Sequence, residues 1–495
     1  MRLIDLITAT TATLANGAEA AGTAEIQALT ADSRTVEPGT LFAALPGTRA
    51  NGTAFIEDAV QRGATAVLAP TGTERHGDAA QTTLVTANRP RQALSLMAAR
   101  FHPGQPAFIG AVTGTNGKTS VAAFCRQIWA HVGCRAASLG TMGLVPEIAP
   151  SPGALTTPDP VALHRCLSEL AAQDVQHLAI EASSHGLDQE RLDGLALKAA
   201  VFTNLTQDHL DYHPNMEAYF RAKARLFAEL LPSDGTAILN ADTPQTGALL
   251  EICRQRGLRT WLYGRDDSAD LRLEGRHTDP GGQDIRLSLF DQEVRLRLPL
   301  VGRFQVMNAL AALGVAAASS VPMREAVEAL AHLEGAPGRM QKVAETATGA
   351  AIFVDYAHTP DALATVLEAL RPHAKERLIV VFGAGGDRDR GKRPLMGRVA
   401  AERADRVIVT DDNPRGEDPA AIRRAILDAV PNGEEIGDRA AAIQNAIADL
   451  SAGDVALIAG KGHETGQIIG DTTLPFEDTT VAREAVTGQQ AGESK

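Results

Sequence analysis

Apolar residues recur along this chain in short unbroken runs, each closed by a polar or glycine-rich turn and followed by a stretch with helical spacing. The run at 109–113 leads into a glycine loop and a helix over 121–132, while runs at 177–182, 199–204 and 236–240 each end in polar residues. A second series at 351–355, 378–383, 407–410 and 455–459 repeats the arrangement, with helices predicted over 361–370, 394–403, 419–430 and 439–449. Apolar strands alternating with helices are the pattern of parallel sheets covered on both faces. The segment 271–300 differs, because Leu271, Leu273, Ile285, Leu287 and Leu289 are spaced by polar residues and predict antiparallel strands at a sheet edge. A helix over 305–319 then returns the chain to the sheet.

The fold class is therefore α/β, and 495 residues suffice for about three domains. Residues 1–88, with short runs at 40–45 and 64–69 around the turn-rich LPGTRANG, predict a small N-terminal α/β domain. Residues 89–336, opened by helical periodicity at 89–100, predict a central P-loop ATPase-like, mostly parallel sheet, and residues 337–495 a C-terminal Rossmann-like domain. The polar tail GQQAGESK is expected to fray. A net charge of −13 speaks against nucleic-acid or anionic-lipid partners, so anionic ligands would need a local basic pocket. Four cysteines, Cys125, Cys134, Cys166 and Cys253, have neither zinc-site nor disulfide-framework spacing. The short N-terminal apolar run is broken by Asp5, and no run reaches membrane-spanning length, so a cytoplasmic monomer without membrane insertion is expected.

The most informative stretch is IGAVTGTNGKTS at 109–120. Its strand–loop–helix order turns backbone N–H groups of Gly114, Thr115, Asn116 and Gly117 toward one phosphate cluster, with the helix N-terminus behind them. Lys118 supplies a point charge for the β/γ-phosphates, Thr119 a hydroxyl for phosphate-bound Mg²⁺, and Ser120 closes the motif. Val112 stands where the general P-loop has its first glycine. In parallel sheets ligands gather at the carboxyl ends of strands. There the chain sets Glu181 before Ser183-Ser184-His185-Gly186, and the polar loop 208–213, containing His209, after Asn204. Lys223 reads by itself as a solvated position on the helix 216–231. Asp32-Ser33-Arg34 reads more readily as a helix cap than as a ligand site. Gly383-Ala384-Gly385-Gly386 lacks the full dinucleotide fingerprint. The C-terminal strand ends carry Asp355-Tyr356-Ala357-His358, Asp387-Arg388-Asp389-Arg390, Asp411-Asp412-Asn413-Pro414-Arg415 and Lys461-Gly462-His463-Glu464, which together describe a pocket.

Six segments, TGTNGKT, EASSHGL, NLTQDHLDYH, DYAHTPDAL, GGDRDRGKRPLM and DDNPRGE, resemble the Mur ligase family in its order, over essentially the whole chain. Within the family they are most similar to members that add the third residue of the peptidoglycan stem peptide. The resemblance implies ATP-dependent amide formation on UDP-N-acetylmuramoyl-L-alanyl-D-glutamate through an acyl phosphate, with meso-diaminopimelate as the added amino acid. It implies that Thr119 and Glu181 hold one Mg²⁺ on ATP, and that His209 and a carbamylated Lys223 serve a second. Asn308, Arg339 and Asp355 match positions contacting ATP. Ala31, Ser33, Thr48, Arg49 and Ala50 in the first domain, with Thr156, Thr157, Ser183, Gln189 and Arg191 in the second, match the nucleotide-sugar site. Arg388, Asp412, Asn413, Pro414, Arg415, Gly460 and Glu464 match the diaminopimelate pocket, Arg415 offering a guanidinium fork to the distal carboxylate. A P-loop switch, a kinase-like phosphotransferase or a non-catalytic nucleotide binder would share Lys118 but gives no reason for Lys223 or for an amino-acid pocket. Folate-polyglutamate ligases are the nearer rival, against which the first domain and the DNPR segment speak.

Overall fold

The computed structural model describes residues 1–8, 10–15, 22–47, 51–74, 82–149, 155–279 and 282–493. Its described strands form three large sheets and one small hairpin.

The first sheet runs in the order Thr13–Leu14, Thr83–Ala87, Ala66–Pro70, Thr40–Ala43, Ala28–Thr30 and is parallel apart from its Thr13–Leu14 edge. The helix Pro90–Phe101, expected to open the central domain, instead gives its buried face of Ala93, Leu94, Met97 and Ala98 to the core under this sheet, beside Leu3, Leu6 and Leu41. Helical periodicity reveals which face of a helix is buried but not which sheet covers it.

The central sheet has ten strands, in the order Gln292–Leu298, Gly282–Leu289, Leu271–Asp279, Arg259–Gly264, Thr236–Asn240, Leu197–Phe202, Phe108–Thr113, His177–Glu181, Ala136–Gly140, Gly143–Val145. The strand Phe108–Thr113 is buried at every position, with parallel partners on both sides. That is why its sequence is a continuous apolar run. The helix Arg303–Ala318 is buried around most of its circumference because the sheet lies on one side and the helix Lys118–His131 on the other. The expected antiparallel edge is a three-stranded meander through Leu271–Asp279, Gly282–Leu289 and Gln292–Leu298.

The third sheet has the order Gln341–Glu345, Ala351–Asp355, Val455–Ala459, Leu378–Phe382, Arg406–Val409, Glu434–Glu435. Its four middle strands are mutually parallel, so Asp355, Ala459, Phe382 and Val409 end at one edge. The hairpin Gly466–Ile469 and Thr472–Pro475 rides beside this edge, joined to it by the Arg415 N–H donating to the Ile468 carbonyl at 3.1 Å. Of the polar tail 488–495, residues 488–493 lie in the helix Asp478–Glu493, and 494–495 lie outside the described residues. Ala482 and Val486 of this helix are buried against Ala442, Ile443, Ala446 and Ile447.

Candidate active site

Position 114 must be glycine. Its φ is +145°, and a β-carbon there would lie 1.9 Å from the Thr203 hydroxyl. After it the chain turns through residues 115–117 and starts the helix Lys118–His131. The loop is fixed from the neighbouring strand end. The Thr115 N–H donates to the Asn204 carbonyl at 2.9 Å, the Asn116 N–H to Asn204 Oδ1 at 2.9 Å, and the Thr203 hydroxyl to the Asn116 carbonyl at 2.6 Å. The expectation that all four loop amides face phosphate is thus corrected: those of Thr115 and Asn116 are held by Asn204, a tertiary contact no local pattern signals. The Thr115 side chain is also inward, 3.1 Å from the Tyr219 hydroxyl.

Lys118 and Lys223 approach this loop from different elements. Lys118 Nζ donates to the carbonyls of Gly114 at 2.9 Å and Thr115 at 2.8 Å, and Lys223 Nζ to the same Gly114 carbonyl at 2.8 Å. Lys223 is 1% exposed, so the reading of a solvated helix face is wrong. Burial, reinforced by the nearby Lys118 charge, holds its ammonium well below the usual lysine range. Burial also lowers Lys118. The His209 imidazole is partly exposed, 3.4 Å from Asp208; desolvation, only partly offset by Asp208, pushes it down to about 4.

Glu181 ends its strand buried, its carboxylate accepting from the Thr141 N–H at 2.9 Å and the Thr141 hydroxyl at 3.2 Å. Thr141 was not anticipated; a lone threonine in a loop carries no sequence signal. The network then continues through residues that were anticipated. Thr156 Oγ1 lies 3.1 Å from Thr141 Oγ1. The Thr157 hydroxyl donates to the Glu181 carbonyl at 2.8 Å and accepts from the Ser183 N–H at 3.0 Å. Arg191 donates to the Thr157 carbonyl at 2.7 Å and to Gln189 Oε1 at 2.6 Å, and Gln189 donates to the Tyr212 hydroxyl at 3.2 Å. In the first domain, Ser33 is buried in a turn capped by Asp32, whose carboxylate accepts from the Arg34 N–H at 3.0 Å, so Asp-Ser serves as a cap here; Ala31 beside it is exposed. Thr48, Arg49 and Ala50 lie outside the described residues.

A cavity of about 580 Å³ separates the central and third sheets, and it gathers Asn116, Gly117, Ser120, Asn308, Arg339 and Asp355. Arg339 crosses it to donate to the Thr119 hydroxyl at 3.2 Å and stacks 4.3 Å above the Tyr356 ring. Asp355 accepts from the Met340 N–H at 2.6 Å and the Ala357 N–H at 2.8 Å, while burial pushes its carboxyl up to about 6. Thr119 and Glu181 are hard oxygen donors near the phosphate loop and fit a divalent cation carried mainly by phosphate and water. Among the described residues no three His, Cys, Asp or Glu side chains form a protein-only cage.

At the third sheet's edge, Asn413 Nδ2 donates to Glu464 Oε2 at 2.8 Å, and the wholly buried Lys461 donates to Asn413 Oδ1 at 3.0 Å and to Glu464 Oε2 at 2.8 Å. Lys461 had been seen only as part of a polar cluster. Pro414 and Arg415 follow, the latter at φ +51° with Nη1 donating to the Gly386 carbonyl at 3.0 Å. Asp412 is buried against Gly460, and Arg388 is exposed near Gly385, which Arg415 also flanks.

Glu417 ties the loop after Leu378–Phe382 to the loop that carries Arg415. It accepts from Arg393 at 2.8 and 3.1 Å and from the Asp387 N–H at 2.7 Å, and Arg393 holds its carboxyl down to about 2. A folded-state value below the unfolded one gives stability that is present above about pH 4.5 and lost as pH falls through about 2. Glu417→Gln is expected to destabilise the third domain at pH 7 by about 1–3 kcal/mol, the scale of a hydrogen bond to a charged group. In urea titrations the gap between the two proteins should close as pH falls from 5 toward 2; a constant gap would contradict the ion pair.

Comparison with known proteins now decides the family. The description "Mur ligase family, catalytic domain" matches residues 25–102, "Mur ligase middle domain" residues 112–316, and "Mur ligase, glutamate ligase domain" residues 338–462. The chain belongs to the Mur ligase family. A relative from Bradyrhizobium diazoefficiens, named UDP-N-acetylmuramoyl-L-alanyl-D-glutamate--2,6-diaminopimelate ligase, is 51% identical over 94% of this chain and 96% of its own length. A relative of the same name from Caulobacter vibrioides is also 51% identical, over 94% and 96%. Among solved structures, one with that name is 34% identical with a TM-score of 0.67, covering 94% of this chain and 95% of the other. The Thermotoga maritima MurF ligase in complex with ADP shares the fold, at 18% identity and a TM-score of 0.61, covering 94% and 96%.

Proposed function

We propose that this Mur ligase joins meso-diaminopimelate to the D-glutamate γ-carboxylate of UDP-N-acetylmuramoyl-L-alanyl-D-glutamate, consuming ATP and releasing ADP and phosphate, as a cytoplasmic step of peptidoglycan precursor synthesis. The observation that carries the reading is the Arg339 bridge to Thr119 across the cavity. It sets the phosphate loop of the central sheet and the strand ends of the third sheet around one space. A carboxylate has no adequate leaving group, so the γ-phosphoryl is first placed on it, and the amine then attacks the acyl phosphate. Both partners of the first step are anions. Lys118 and the helix N-terminus at residue 118 offset their repulsion, which is positioning plus electrostatic stabilisation.

Thr119 and Glu181 are the oxygen donors for a bound Mg²⁺, which would supply charge neutralisation on the ATP phosphates. A neutral His209 is ready to act as a ligand. Thr157, Ser183, Gln189 and Arg191 form the face for the reacting glutamate. Burial lowers Arg191, and the nearby Arg91 of the first domain lowers it further, a pair of cations suited to an anionic substrate. Asn413, Arg415 and Glu464 receive the amino acid, and enclosure between the domains keeps water from the acyl phosphate.

Incubating the protein with ATP, Mg²⁺, the UDP-linked dipeptide and diaminopimelate, then weighing the nucleotide product, tests the reading. The expected result is a product heavier by one diaminopimelate less water, with ADP formed in equal amount. ATP hydrolysis without that product would refute it.

A further inference from the structure

The amino-acid pocket stands on two loops from strands that are not neighbours. One follows Arg406–Val409 and carries Asp412, Asn413 and Arg415; the other follows Val455–Ala459 and carries Gly460, Lys461 and Glu464; the strand Leu378–Phe382 lies between them. Behind them sits an ion pair with no role in the chemistry described so far. Arg439 opens the helix Arg439–Ala448, Asp478 opens the helix Asp478–Glu493, and both side chains are 0% exposed. The pair is bidentate, Nε to Oδ1 at 2.7 Å and Nη2 to Oδ2 at 2.7 Å. The same guanidinium donates from Nη2 to the Ala459 carbonyl at 3.0 Å and from Nη1 to the Asp411 carbonyl at 3.4 Å. Those carbonyls belong to the residues immediately before Gly460 and Asp412.

We propose that Arg439, aimed by Asp478, is a positioning residue that fixes the separation of the two pocket loops and so sets affinity for the incoming amino acid; this rests on the ligase reading above. A planar guanidinium holds four acceptors in one rigid geometry, which an ammonium cannot reproduce. A fully buried pair is a poor source of net stability, since apolar groups of similar volume often serve as well. What those groups cannot do is hold two main-chain carbonyls at a set distance. The same two loops are joined at their tips by Lys461 and Glu464 meeting Asn413. Arg439 at the base and Lys461 at the tip together make the pocket a closed frame. Asp478 ties that frame to the C-terminal helix, whose Ala482 and Val486 dock into the core behind the sheet.

The test uses the full chain in three variants: Arg439→Lys, Asp478→Asn, and Arg439→Met with Asp478→Leu, the last removing both buried charges together so that neither is stranded. Folding is followed by cooperative thermal melting, and KM and kcat are measured for each substrate with the other two saturating. In every variant that melts cooperatively, KM for diaminopimelate is expected to rise tenfold or more. KM for ATP and for the UDP-linked dipeptide should stay within twofold, and kcat at saturating diaminopimelate within threefold. Unchanged KM for diaminopimelate in any folded variant, an equal loss toward all three substrates, or failure of all three variants to fold would overturn the proposal and leave the pair a structural tie. Failure of the ligase reading itself appears separately, as absence of the diaminopimelate product with the unmodified protein.

Discussion

Replacing Lys223 with alanine is expected to lower ligase turnover by about 100-fold or more, the scale on which removal of one preorganised electrostatic contact slows an enzyme. The expectation starts from burial. A lysine 1% exposed, 4.5 Å from the centre of the Tyr219 ring and close to the Lys118 charge, is held well below its ordinary protonation range. A neutral amine is a nucleophile where an ammonium is not. Attack of the neutral Nζ on carbon dioxide, with loss of one proton, would make an anionic carbamate and so put an oxygen donor beside the phosphate loop. The carbamate's negative charge would also face Lys118 favourably. In the alanine variant the vacated volume would admit a short carboxylic acid, so added formate or acetate should restore part of the rate, saturably. Full activity in Lys223→Ala, or a loss that no carboxylate relieves, would remove Lys223 from the chemistry. Mass measurement of the native protein under bicarbonate gives a second check, as a gain equal to one carbon dioxide that acid abolishes.

What was legible beforehand follows from how much of each feature is local. The strands Phe108–Thr113, Ala351–Asp355, Leu378–Phe382 and Val455–Ala459 are buried on both faces, so each advertises itself as an apolar run. The edge strand Gln341–Glu345 and the two-residue strand Glu434–Glu435 have no such run, since one face or one side meets solvent. The hairpin Gly466–Ile469 and Thr472–Pro475 did carry a signal in its Gly470-Asp471 turn, with Gly470 at φ +57°, but its strands are too polar to stand out. The site divides the same way. Glu181 and Asn413 stood out as polar residues at the ends of apolar runs, whereas Lys223 was singled out only by the family resemblance. Their supports Thr141, Asn204 and Arg439 act through hydrogen bonds between segments distant in sequence, and no periodicity encodes those. Lys223 is the instructive middle case: in isolation its helix pattern suggested solvent, and only the packing of its helix behind the phosphate loop makes it buried.

Given diaminopimelate and L-lysine in competition, the protein is expected to use diaminopimelate, and Arg415→Ala is expected to erase most of that preference. The two amino acids differ at the far end, where diaminopimelate adds a carboxylate beside the ammonium. A pocket that chooses it needs a cation for the former and an acceptor for the latter. Arg415 is half-buried and held at φ +51° by main-chain bonds on both sides, its N–H donating to the Ile468 carbonyl at 3.1 Å and its carbonyl accepting from the Gly470 N–H at 2.8 Å. The loop is therefore fixed by its backbone, and truncating the side chain removes the guanidinium without releasing the turn. Glu464 is the acceptor in the proposed reading, and two of its neighbours already donate to it: Asn413 at 2.8 Å and Lys461 at 2.8 Å. Lys461 neutralises part of its charge, which lowers the attraction for an ammonium arriving alone and leaves the carboxylate-to-Arg415 contact to decide. Truncating one partner of a buried, hydrogen-bonded charge pair costs about 2–5 kcal/mol. KM for diaminopimelate should accordingly rise about 30-fold or more in Arg415→Ala, since about 1.4 kcal/mol is tenfold, while use of lysine changes little. Arg415→Lys separates charge from shape: it keeps the cation but not the bidentate fork and should fall between the two. Equal or better use of lysine by the unmodified protein, or a loss in Arg415→Ala that is the same for both amino acids, would show that the distal carboxylate is read elsewhere, with the exposed Arg388 the next residue to change.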